Sequence, residues 1–271
     1  MNRWLTTAIL RRCALAIPLS AALQLARATE PVEIAFTASC DGATERYVEL
    51  LPPGFDPAQA HDLLIALHGH GSDRWQFIRD GRDECRGTRD AAAMHGWILV
   101  SPDYRAPTSW MGPKAEADLV QIIAELRARH RVGRVLLCGG SMGGTGALTF
   151  AALHPALLDG VCALNGTGNL VEYGRFLEAI AASYGGTKEE VPEEYKKRSA
   201  EFHALALTMP VALTTGGRDD VVPPDSVLRL HATLAALGRP VLLLHREDGG
   251  HDTSHADTLA ALEFLLLPAA H

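Results

Sequence analysis

The run Val135-Leu136-Leu137-Cys138-Gly139-Gly140-Ser141-Met142-Gly143-Gly144 decides the reading of this 271-residue chain. Its first four residues form an apolar run of strand length, a helix-like stretch from Thr145 to Leu153 follows, and a serine stands between glycines at the junction. A strand, a sharp turn and a helix with serine at the apex is the setting of a nucleophile elbow. Such a turn strains the backbone at the serine, so residues without bulk are required two positions before and two after it. Gly139 and Gly143 occupy those positions. The geometry predicts a Ser141 hydroxyl held clear of the sheet, with the first amides of the following helix aimed at whatever the oxygen attacks.

Outward from this motif, apolar runs of strand length alternate with stretches of helical period, as expected for a mostly parallel twisted sheet with helices on both faces. The predicted strands are Arg46 to Leu51, Leu63 to His68, Trp97 to Ser101, Val135 to Cys138, Val161 to Leu164, Val211 to Thr214 and Val241 to Leu244. The predicted helices are Ala115 to His130, Thr145 to Leu153, Asp225 to Leu237 and Thr253 to Leu267. Residues 166–208 break the alternation: they are polar, contain Gly185-Gly186 and carry the charge run Lys188 to Arg198. They read as a small cap inserted into a domain over 29–271, or as a surface helical excursion.

A serine hydroxyl becomes a useful nucleophile when a base takes its proton and an acid orients that base. Two later strands run into suitable loops. Val211 to Thr214 leads to Gly216-Gly217-Arg218-Asp219-Asp220-Val221-Val222-Pro223, and Val241 to Leu244 leads to Glu247-Asp248-Gly249-Gly250-His251-Asp252. Ser141, Asp219 and His251 therefore follow one another at intervals of 78 and 32 residues, each at the C-terminal end of a predicted strand, where the loops of a parallel sheet converge. Asp219 is preferred to Asp220 because Gly216 and Val222-Pro223 frame it in a turn. His251 is preferred to His255, which falls one helical turn later, and to His245, which ends a strand.

Two amide donors for an oxyanion complete the expected set. One is Met142, directly after the serine. The other is His70, in the loop His68-Gly69-His70-Gly71 that follows an early strand. His68, His70 and Asp73 also resemble the start of a metal-binding motif. The register of Ser72 and Asp73 is off by one for that motif, and no Glu follows His251 as a metalloprotease helix requires. No metal and no cofactor are expected.

The first 28 residues read as a cleaved export signal: Arg3, Arg11 and Arg12 precede an apolar stretch from Cys13 to Leu25, and Ala26-Arg27-Ala28 suits a signal peptidase. Export would place the protein in the periplasm or outside the cell. Loss of four arginines and no acids would take the formal charge from -7 to -11. An acidic chain without a basic cluster argues against nucleic acid as a partner. After residue 28 no apolar run reaches the roughly 20 residues needed to span a bilayer. In an oxidising compartment Cys40 and Cys85, both in polar segments, form the candidate disulfide, while Cys138 and Cys162 read as buried small hydrophobes.

These residues resemble the α/β-hydrolase superfamily over nearly the whole chain, from Arg46 to near Leu267. Leu51-Pro52-Pro53-Gly54-Phe55, His68-Gly69-His70-Gly71 and Gly140-Ser141-Met142-Gly143-Gly144 are similar to secreted esterases of the feruloyl, acetyl-xylan and polyhydroxybutyrate-depolymerase kind, and also to the catalytic domain of prolyl oligopeptidases. The resemblance implies Ser141 as nucleophile, His251 as base, Asp219 as its orienting acid, and Met142 with His70 as oxyanion donors. It implies a small-molecule or polysaccharide-linked ester as substrate. Peptidases of that kind carry a large N-terminal propeller for which the sequence ahead of the first predicted strand has no room, and this favours the esterase reading. Trp75, Tyr104 and Trp110 lie on loops where they could stack on an acyl group or a sugar. The alternatives are a peptidase acting on short peptides and a binding protein on a hydrolase scaffold.

Overall fold

The computed structural model describes residues 29–105 and 107–267; the expected leader, 1–28, lies outside them. Eight strands form one sheet in the order β1-β2-β4-β3-β5-β6-β7-β8. They are β1 (Val32–Thr37), β2 (Thr44–Leu50), β3 (His61–Leu67), β4 (Ile98–Pro102), β5 (Val132–Gly140), β6 (Gly160–Leu164), β7 (Val211–Gly216) and β8 (Val241–Arg246). From β4 onward across the sheet every pairing is parallel, and only the β1–β2 and β2–β4 pairings are antiparallel. The helices are α1 (Gln76–Arg79), α2 (Asp83–His95), α3 (Pro113–Arg129), α4 (Met142–Leu153), α5 (Leu177–Tyr184), α6 (Pro192–Lys197), α7 (Asp225–Ala236) and α8 (His255–Phe264). This is the α/β-hydrolase architecture that the sequence led us to expect.

The apolar strands are continuous runs because both faces of the sheet are covered. Leu63, Ile65 and Leu67 of β3 join a core with Leu119 and Ile122 of α3, Leu148 of α4 and Leu230 of α7. Leu64 and Ala66 point the other way, into a second core with Phe77 of α1, Ala91 of α2 and Leu262 of α8. Each such aliphatic side chain contributes about 1.5–3 kcal/mol when fully buried. The strands therefore hold in register the loop ends that matter for chemistry.

Outside residues 166–208, three strands or α-helices were not anticipated. β1 is mostly exposed and offers only a short apolar stretch, Ile34-Ala35-Phe36; as an edge strand it buries little beyond Phe36 and pairs through its backbone. α1 is one short turn. α2 is rich in charge and has a glycine at its centre, yet it is a helix because Gly87 lets it sit directly against α8: a Cβ there would come within 2.8 Å of Thr258 Cβ.

The expected Cys40–Cys85 bridge is corrected. Both cysteines are free, Cys40 exposed and Cys85 buried. Cys85 belongs to the core on the α2 and α8 side. Cys40 lies on the β1–β2 turn, where Arg105 Nη2 donates to its Sγ at 2.9 Å, and Arg105 in turn pairs with Asp118 of α3 on the opposite side of the sheet. Burial pushes the Cys85 thiol up to about 12. Among the described residues no helix is long and apolar enough to cross a membrane.

Residues 166–208 carry α5, α6 and a 3-10 segment from Ala200 to Ala206. Arg198, fully buried, ties this stretch to the body: it pairs with Glu116 of α3 at 2.8 Å and Glu194 at 2.6 Å, and donates to Met111 O at 2.7 Å.

Candidate active site

Ser141 sits where β5 gives way to α4, with φ 57° and ψ -117°, a left-handed backbone that a non-glycine residue adopts only under tertiary constraint. Two backbone bonds supply part of the constraint: the Ser141 amide donates to Leu164 O at 2.8 Å, and its carbonyl accepts from Thr145 N at 3.0 Å. The glycines explain how the turn can be so tight. A Cβ on Gly139 would lie 2.4 Å from the Gly143 carbonyl, and one on Gly143 would lie 2.0 Å from Leu67 O.

The loops after β7 and β8 pack backbone on backbone. A Cβ on Gly216 would meet Gly250 O at 2.2 Å, and the Arg218 amide donates to Gly249 O at 2.9 Å. This approach places the three side chains expected from the sequence in one chain of hydrogen bonds. His251 Nδ1 lies 2.6 Å from Asp219 Oδ2 and Nε2 lies 2.8 Å from Ser141 Oγ. With Nδ1–H donating to the carboxylate, Nε2 presents a lone pair that accepts from the serine hydroxyl.

Asp219, rather than Asp220, carries this contact. Its side chain is fully buried, and Oδ1 accepts from the amides of Val221 at 2.9 Å and Val222 at 2.8 Å. Asp220 is exposed. Burial alone would raise the Asp219 carboxyl, but the bond from His251 and the two amides outweigh it and hold the group below its ordinary value. The other histidines go elsewhere: His255 Nε2 meets Asp90 at 2.8 Å, and His245 stays on β8.

In the loop after β3 the amides flanking His70 are occupied. Gly69 N donates to Gln76 Oε1 at 2.9 Å and Gly71 N to Pro107 O at 2.7 Å. The amides of His70 and Met142 have no protein acceptor among the described residues. The His70 ring accepts the Trp110 indole N–H at Nδ1, 3.1 Å away, and packs against Phe176 at 4.2 Å between centroids. Loss of hydration shifts its pKa downward, which favours the neutral ring. His68 and Asp73 do not join it in a ligand set: the His68 ring lies between the carbonyls of Gly69 and Asp103, and Asp73 Oδ1 accepts from the Trp75 amide.

The aromatic residues need correction. Trp110 and Tyr104 are fully buried and offer no free ring face. Trp110 is packed by Tyr173 and Phe176 as well as His70, and Tyr104 OH donates to His68 O at 2.5 Å. Both shore up the loop carrying His70, because a large ring at a sheet edge gains more from burial than from exposure. Trp75 is half-buried, with Arg79 3.6 Å above its ring, and lies outside the cavity at Ser141.

That cavity is small, about 50 Å³, and includes Gly69, Gln76, Ser141, Asn165, His251 and Thr253 in its wall. Gln76 and Asn165 escaped the sequence reading. Gln76 belongs to no motif. Asn165 directly follows a predicted strand, and the position that identified the other loops was the available signal for it.

Residues 107–266 match the prolyl oligopeptidase family. No curated protein matches the sequence. Among solved structures, the chain is similar to a ferulic acid esterase (19% identity, TM-score 0.68, covering 87% of this chain and 96% of that one). It is similar to an acylaminoacyl peptidase (16% identity, TM-score 0.69, 90% of this chain and 42% of that one), and to a thermostable esterase (17% identity, TM-score 0.67, 89% of this chain and 63% of that one). The chain thus spans less than two thirds of the length of the latter two. At these identities the likeness shows the fold, whereas the family match covers more than half of the sequence. The chain belongs to the prolyl oligopeptidase family, serine hydrolases built on the α/β-hydrolase fold.

Proposed function

We propose that this protein is an exported serine hydrolase that cleaves carboxylic esters through a covalent acyl-enzyme. The observation that carries the reading is the pair of contacts at His251, 2.8 Å to Ser141 Oγ and 2.6 Å to Asp219 Oδ2. His251 Nε2 takes the serine proton as Oγ attacks the carbonyl carbon. The amides of Met142 and His70 receive the developing oxyanion. The imidazolium, steadied by the buried Asp219 carboxylate, returns its proton to the departing alkoxide, and the alcohol leaves. Water then attacks the acyl-Ser141 ester by the same route, with His251 again as base. Substitution of Ser141 by Ala is expected to lower hydrolysis of nitrophenyl esters by roughly 10³-fold or more while leaving the circular dichroism spectrum and melting temperature intact; retention of most turnover would refute the assignment.

The family match favours a second reading, a peptidase acting on short peptides. The two differ in leaving group, since an amine must be protonated as it departs whereas an activated alkoxide need not be. Nitrophenyl esters compared with peptide anilides of the same acyl group separate them: comparable kcat/KM on anilides favours the peptidase.

A further inference from the structure

Asn165, the residue after β6, is buried and has φ 50°, again left-handed. Asn tolerates that conformation better than most residues, yet it costs free energy that the surroundings must supply. Its polar atoms show what they hold. The backbone amide donates to Thr214 O of β7 at 3.1 Å. Side-chain Nδ2 donates to Gly250 O at 3.4 Å, and Oδ1 accepts from the Thr253 hydroxyl. Thr214 Oγ1, 2.7 Å from Thr253 Oγ1, completes a closed buried network. One amide side chain therefore grips the chain on both sides of His251, at 250 and 253. The preceding residue, Leu164, receives the amide of Ser141 through its carbonyl. The tip of β6 is thus bonded to the nucleophile's turn by one residue and to the base's loop by the next.

We propose that Asn165 is a positioning residue that fixes the His251 loop relative to Ser141, so that the 2.8 Å contact between Nε2 and Oγ is set by the β6 tip. This rests on the reading of Ser141 and His251 as nucleophile and base. The loop after β8 is glycine-rich, Gly249-Gly250; its backbone packs on the β7 loop up to Gly250, and the grip of Asn165 on Gly250 and Thr253 is what spans His251 itself. A small displacement suffices to matter, because a misplacement of about 1 Å at a reacting pair can cost on the order of 100-fold.

The test uses Asn165→Gly, which accepts the left-handed backbone without strain and deletes the grip, and Thr253→Val, which keeps shape and removes the hydroxyl donor. On nitrophenyl acetate, kcat is expected to fall by about 10- to 100-fold in Asn165→Gly, and by less in Thr253→Val, while KM stays within about threefold: both residues border the cavity, but their polar atoms are bonded to protein groups, so alignment is what the substitutions remove. Each variant is combined with His251→Ala. A residue acting through His251 has nothing left to act on there, so the second substitution is expected to change the residual rate by less than about twofold. Equal losses in both backgrounds, or kcat unchanged in Asn165→Gly and Thr253→Val while His251→Ala is inactive, would overturn the proposal. Full turnover by His251→Ala itself would instead overturn the reading of the site on which it rests. If Asn165→Gly does not fold, Thr253→Val decides alone by the same two comparisons.

Discussion

At the residue scale, small side chains matter where backbones nearly touch. Gly143 lies in the first turn of α4, where alanine would ordinarily improve helix propensity by about 1 kcal/mol. The 2.0 Å approach of its added Cβ to Leu67 O reverses that sign, because β3 and α4 would have to separate. Gly143→Ala is therefore expected to lower the denaturation midpoint in urea, with a loss of about 1–3 kcal/mol. Asp219 gives a pH-dependent counterpart. Its folded carboxyl lies below the ordinary 3.8, so the unfolded chain takes up the proton first as the solution is acidified. The stabilisation is fully present above that ordinary value and is lost as the pH falls through the lower, folded one. Melting of the wild type and Asp219→Asn across the acid range is expected to show a stability gap that closes in acid. At neutral pH the same substitution is expected to lower kcat on the order of 10³- to 10⁴-fold, because an amide in place of the carboxylate no longer holds the base in its working tautomer.

At the element scale, the site is a set of strand ends and the props behind them. The loop after β3 is braced from two directions: Gln76 of α1 holds Gly69, and the Trp110 indole N–H holds His70. Trp110→Phe keeps most of the apolar volume and deletes that donor. It is expected to reduce kcat/KM for nitrophenyl esters several-fold and to make the His70 ring easier to protonate, a change visible in its NMR titration. The motif at β5 and α4 was legible in the sequence because strain at Ser141 demands glycine at fixed offsets, and the loops after β7 and β8 were legible because each follows a continuous apolar run. β1 and α2 were not legible. β1 carries only a short alternation of Val32, Ile34 and Phe36 and buries little, and Gly87 of α2 is explained only by the close approach of Thr258 on α8. The aromatic residues misled for a related reason: Trp110 and Tyr104 sit on loops in the sequence, but those loops fold inward at the sheet edge.

At the scale of the whole molecule, Arg198 joins the 166–208 segment to the sheet-bearing body. It is fully buried, its guanidinium meets Glu116 and Glu194, and its carbon stem is enclosed. Arg198→Ala would leave carboxylates without their cation, and a loss of about 3–5 kcal/mol is expected from chemical denaturation. The His154–Glu116 contact at 2.8 Å keeps one of those carboxylates partly paired, so a double variant with His154→Ala is expected to lose more than the single. By itself the sequence determined the alternating pattern of strands and helices, the glycines of the elbow and the order serine, aspartate, histidine, because periodicity and backbone strain are local properties written over a few residues. Only the tertiary structure decided that Cys85 is buried in the core while Cys40 is exposed, that Trp110 and Tyr104 are buried, and that Asn165 grips the chain around His251. Those facts depend on the distance between strand ends far apart in the chain, and that distance is fixed by packing and register, which no short stretch of sequence encodes.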